Sequence, residues 1–170
     1  ASDETQMDAK DAANAACRID AAQLRAKVVA EGANLALTQR GRVEYALRGG
    51  RLNTDAVDNS AGVDCSDHEV NIKIMLNAAV RAGELTVEER NKLLDSIKDD
   101  VADLVLRDNF LQTQIISYMH HRGAKSIPGN KKFMHVLERE DKLNRALEFL
   151  PADSEMDERF TRGLGLTRPE

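Results

Sequence analysis

The spacing of apolar positions changes character near residue 66. Before it, Lys27-Val28-Val29-Ala30-Glu31 places adjacent β-branched residues in a short apolar run that stops at Gly32-Ala33-Asn34, which predicts a strand ending in a tight turn. Thr38 precedes Gln39 to Leu47, where Val43, Ala46 and Leu47 share a face and Gly49-Gly50 follow, so a short capped helix is expected. Arg51 to Val57 predicts a second brief strand, and Asp58-Asn59-Ser60-Ala61-Gly62 a turn of small polar residues. Residues 27 to 62 therefore predict strand, helix, strand. Ahead of them, Thr5 to Arg18 is Ala-rich, with Met7, Ala12, Ala15 and Ala16 at mixed three- and four-residue spacing that Ile19 continues, and predicts a weakly amphipathic helix.

From Ser66 onward the period is helical. Ser66-Asp67-His68-Glu69 has the pattern of a capping box, and Val70, Ile74, Asn77 and Ala78 follow until Gly83. Thr86-Val87-Glu88-Glu89 has the same pattern and opens an apolar stripe from Leu93 through Leu94, Ile97, Val101, Leu104, Val105, Leu111, Ile115 and Ile116 to Met119. It predicts one long helix, or two divided near Asp108-Asn109. Pro128-Gly129 predicts a turn. Phe133, Val136, Leu137, Leu143, Ala146, Leu147 and Leu150 predict a helix closed by Pro151, and Glu155 to Phe160 a short helical turn. The expected fold class is mainly α with a small α/β portion.

Composition narrows the class. Only 4% of residues are aromatic and none is Trp, so the core must come from Leu, Ile, Val, Met and Ala, which leans helical. With 24 basic and 29 acidic residues the net charge is −5, which argues against a surface built to neutralise phosphates; no nucleic acid is expected as a partner. No apolar run reaches the length of a membrane span, so no membrane partner is expected either. Cys17 and Cys65 are too few for a disulfide framework and fit free thiols in a cytoplasmic, reducing setting. Thr167-Arg168-Pro169-Glu170 is how a helix begins, and we expect the chain to be a piece of a longer polypeptide.

Candidate chemistry gathers in the two turns. Loops at the carboxyl ends of parallel strands form ligand crevices, small residues let backbone approach a ligand, and an Asn carboxamide offers both donor and acceptor. Gly and Asn are also the commonest turn formers. At a helix N-terminus Ser66 would sit beside free amides that attract a carboxylate or phosphate, or it would simply cap its own helix with Glu69. Cys65 and His68 have the spacing of a ligand pair, yet His120, His121 and His135 supply no second metal pattern, so no metal is expected. A Cys65 nucleophile is not supported, because free cysteine mostly behaves as a small hydrophobe. His120 to Lys125 with Lys131-Lys132 forms a basic patch, best read as cations complementing a helix C-terminus.

Three stretches carry a family resemblance: Lys27 to Asn34, Leu37-Thr38-Gln39-Arg40-Gly41-Arg42-Val43-Glu44-Tyr45-Ala46, and Asn53 to Glu69 with Asp58-Asn59-Ser60-Ala61-Gly62-Val63-Asp64-Cys65-Ser66 at its centre. They resemble the large-subunit, NAD-specific glutamate dehydrogenases of bacteria, and the likeness continues through Asp108 to Gln114 and on to Glu170. It implies that residues 1–66 are the closing strands of a Rossmann-like NAD-binding domain and residues 67–170 a helical extension. By that resemblance Gly32, Ala33 and Asn34 lie by the nicotinamide ribose of NAD. Asn59 approaches the nicotinamide and substrate, Gly62 and Val63 form the close-packed end of the motif, and Ser66 holds a substrate carboxylate. Where the smaller family members have Gly-Pro after the first turn, this chain has Leu35-Ala36-Leu37, and their Gly-Gly is Ala61-Gly62 here.

The family's catalytic lysine and aspartate and its Gly-rich phosphate fingerprint precede this segment, so no catalytic residue is assigned in it. The implied reaction is oxidative deamination of L-glutamate to 2-oxoglutarate and ammonium, with NAD as hydride acceptor. The implied partners are the remainder of the polypeptide and, for the full-length enzyme, further copies of itself in a homo-oligomer. The competing expectation is a non-catalytic helical module that assembles or regulates a larger protein.

Overall fold

The computed structural model describes residues 1–32 and 36–170; Ala33, Asn34 and Leu35 lie outside the described residues. The two expected strands do not build a sheet. Val28 and Arg51 meet in one isolated parallel bridge, with the Val29 N–H donating to the Arg51 carbonyl at 2.9 Å and the Arg51 N–H to the Lys27 carbonyl at 3.1 Å. The expected Rossmann-like closing strands and the small α/β portion are thus corrected to a helical fold. A parallel pair is weak by itself and needs further strands and covered faces. Here no third strand joins it among the described residues, and Val28 stays 60% exposed. The second segment also turns helical early: Val57 and Asp58 donate to the Thr54 carbonyl, opening the short helix α3, Asp55–Asp58.

At the start of the chain, Thr5 to Arg18 gives only the single turn α1, Gln6–Ala9, and a 3-10 turn, Ala15–Cys17. Alanines offer too little apolar surface to hold a long helix by packing, and α1 buries no residue. The helix expected after Thr38 forms as α2, Gln39–Leu47, with the Thr38 hydroxyl accepting the Gly41 N–H at 3.1 Å. Its Tyr45 packs on Ala21 and Leu52, while the phenol donates to the Ala26 carbonyl at 2.5 Å.

α4, Ser60–Ala82, begins six residues before the Ser66 box. Ser66 therefore caps nothing: its hydroxyl lies inside the helix and donates to the Val63 carbonyl at 2.9 Å. The expected turn at 58–62 is absorbed into the helix start: Asn59 is the N-cap residue, Ser60 and Ala61 cost little in a helix, and Gly62 costs only about 1 kcal/mol relative to Ala. Gly83, at φ 75°, ends α4 as a left-handed cap. The Thr86 box does form: its hydroxyl accepts the Glu89 N–H at 3.2 Å, the Glu89 carboxylate accepts the Thr86 N–H at 2.8 Å, and α5, Val87–Ser96, follows. The helix break falls at Ile97, and α6, Lys98–Arg122, runs unbroken through Asp108-Asn109. Of the long apolar stripe Val105 is buried, whereas Leu93, Leu111 and Ile115 are exposed.

Pro128 and Gly129 lie in the first turn of α7, Ile127–Arg139, where a missing N–H costs nothing. α7 ends before Leu143 and Leu150, which reach the core of Ile127, Met134 and Met156 from an irregular segment. α8, Asp153–Thr161, supplies Met156. The described residues divide into two compact units, residues 1–58 with 114–170, and residues 59–113. The first holds both buried clusters just named; in the second Leu76 and Val105 are buried. No helix among the described residues is long and apolar enough to cross a membrane.

Candidate functional site

In the first unit, α2 places Arg42 between Glu31 and α3. Its side chain is 0% exposed, and its guanidinium serves three carboxylates: Nη2 donates to Glu31 Oε2 at 2.5 Å and to Asp55 Oδ1 at 3.1 Å, and Nη1 to Asp58 Oδ2 at 2.8 Å. Nη1 also reaches the Asn53 carbonyl at 2.9 Å. The other Glu31 oxygen accepts the Ala36 N–H at 2.7 Å. A charge taken out of water must be paired, and this fork is paired on both arms. Sequence reading missed the cluster, since its members lie 11 to 16 residues from Arg42 and fall in no local pattern.

In the second unit, Asn59 is the N-cap residue of α4, half-buried, and its side chain makes no capping bond. The carboxamide leans over Gly62: a Cβ there would lie 2.8 Å from Asn59 Oδ1. Gly62 is thus the residue that gives Asn59 room. Asn59, Gly62, Val63 and Ser66 follow the spacing i, i+3, i+4, i+7, so they lie along one face at the start of α4, with Gly62, Val63 and Ser66 exposed. Ser60, on the next register, donates to Asn109 Oδ1 of α6 at 2.6 Å. This common face was hidden in the sequence because the helix was expected to start at Ser66. Gly32 is exposed and belongs to the first unit; Ala33 and Asn34 lie outside the described residues.

His68, whose spacing to Cys65 was not expected to make a metal site, lies beside two carboxylates. Asp64 and His68, one turn apart on α4, meet Asp108 of α6, with one ligand atom from each within 4.8 Å of the others. His68 Nε2 lies 3.4 Å from Asp64 Oδ1, while Asp64 Oδ2 is buried without a hydrogen-bond partner. These three could offer ligands to a divalent ion, but Arg107 Nε stands 3.7 Å from Asp108 Oδ1 and competes for that carboxylate. Cys65 and Cys17 are free and exposed. In the basic patch, Lys131 is occupied by Asp157 at 2.8 Å, and that hydrogen bond, with the nearby Asp153 charge, raises its pKa.

A family model described as bacterial NAD-glutamate dehydrogenase, catalytic domain, matches residues 1–119. The chain belongs to this family. It is 53% identical over 169 residues to the NAD-specific glutamate dehydrogenase of Pseudomonas aeruginosa, covering 99% of this chain and 10% of that protein. It is 48% identical over 170 residues to the enzyme of the same description from Mycobacterium tuberculosis, and 47% identical over 169 residues to that from Halomonas elongata. The chain spans about a tenth of the length of these curated relatives. No solved structure matches it.

Proposed function

We propose that the chain forms one wall of the active site of an NAD-dependent glutamate dehydrogenase, within a longer polypeptide that supplies the catalytic groups. The observation that carries this reading is the shared face of Asn59, Gly62, Val63 and Ser66 on α4, with Gly62 making space for a carboxamide not spent on capping. NAD, when bound, accepts a hydride from the α-carbon of glutamate, and hydrolysis then yields 2-oxoglutarate and ammonium. Asn59 suits the nicotinamide end, because its amide can both donate to and accept from a carboxamide. Ser66 offers a hydroxyl to a substrate carboxylate, and releasing the Val63 carbonyl for that contact exchanges one hydrogen bond for a stronger, charge-assisted one. Gly32, Ala33 and Asn34 belong by family resemblance beside the nicotinamide ribose.

The positioning itself accelerates the reaction, since holding donor and acceptor carbons in line removes orientational freedom before the chemical step. In the full-length enzyme, Asn59→Ala is expected to raise the KM for NAD and lower kcat in a glutamate-dependent NADH assay. Unchanged constants would contradict the role given to Asn59.

A further inference from the structure

We infer that Arg42 is a positioning residue for the cofactor side of the site, fixing the Glu31-Gly32 turn against residues 53–58. The inference rests on the dehydrogenase reading above. One buried guanidinium joins separate stretches of chain: the turn through Glu31, and the segment 53–58 through Asp55, Asp58 and the Asn53 carbonyl. Glu31 and Asp58 are nearly as buried as Arg42, with side chains 8% and 5% exposed. Glu31 also accepts the Ala36 N–H at 2.7 Å.

Such a cluster is a costly way to gain stability, because apolar packing of the same volume does as well or better. It does supply geometry, since a planar fork fixes the direction of each partner where a point charge would not. Gly32, bonded in sequence to a carboxylate held by Arg42, is the residue whose placement would follow from it. The Ser66 hydroxyl is bonded within α4, to the Val63 carbonyl, so the glutamate KM is the control for this role.

The test is steady-state kinetics of the full-length enzyme with Arg42→Lys and, as a milder change, Asp58→Asn, each checked by thermal unfolding. Both variants are expected to raise the KM for NAD about tenfold while changing the glutamate KM less than about twofold, at a retained melting temperature. Arg42→Gln, lacking the charge, is expected to lose more than Arg42→Lys. Equal changes in the two KM values, or losses that only track a falling melting temperature, would assign Arg42 to stability and overturn the inference, as would unfolding of both milder variants. Asn59→Ala measured alongside separates the two claims. If it raises the NAD KM and Arg42→Lys does not, the positioning role alone fails; if neither does, the reading of the site falls and this inference with it.

Discussion

Arg145 shows how one side chain stands in for missing secondary structure. Between the end of α7 and the start of α8 it holds Glu138 with two parallel bonds, of 2.7 and 2.9 Å, and Asp153 with a third of 2.7 Å. The Arg145 bond holds the Glu138 carboxyl below its usual range, and the same guanidinium, helped by His135 and Lys131, does so for Asp153. A carboxyl whose folded pKa is depressed stabilises the fold above its unfolded pKa and loses that contribution as pH falls through the folded value. Thermal unfolding should therefore show a melting temperature that drops below about pH 4, and Arg145→Leu should flatten that drop. Both carboxylates are partly exposed, so the effect is screened and modest. Neither this cluster nor that of Arg42 was legible in the sequence, because each joins residues from elements whose placement only the tertiary fold decides.

Among elements, what is local was readable. Thr38 and Thr86 cap the helices their spacing announced, and α8 forms where Glu155 to Phe160 indicated. The Ser66 box has the same pattern as the Thr86 box yet caps nothing, since a pattern of side chains cannot tell a first turn from a second when the preceding residues also tolerate helix. The strands failed for a different reason: pairing is nonlocal, and Lys27–Glu31 and Arg51–Val57 find one bridge and no sheet. The face of α4 gives a sharp prediction. Gly62→Ala should leave stability unchanged or raise it by up to about 1 kcal/mol through helix propensity, while forcing the Asn59 carboxamide to rotate away. Circular dichroism melting should show the first effect, and a raised NAD KM in the full-length enzyme the second. A destabilised helix with unaltered NAD KM would contradict the placement of Asn59.

At the scale of the whole molecule, the chain has folded cores but leaves large apolar side chains exposed on α4 and α6, among them Ile74, Met75, Leu106 and Phe110. Such exposure fits a chain packed against further protein surface. By itself the chain should not bind NAD with micromolar affinity, about −8 kcal/mol, because the family's phosphate-binding fingerprint has no counterpart in its sequence. Calorimetry of the 170-residue chain with NAD checks this, and a micromolar isotherm would contradict it. Family membership was legible from Lys27 to Glu69 alone, because a motif survives in sequence even where the fold around it was misread. The central claim is that the first turns of α4 face the substrate, and Ser66→Ala tests it most directly. Alanine suits a helix interior, and the change removes only a hydroxyl bonded to Val63, so the fold should persist. In the full-length enzyme the glutamate KM should rise about tenfold or more, the loss expected for one hydrogen bond to a charged group, with the NAD KM little changed. Equal shifts in both constants, or none in either, would contradict the account.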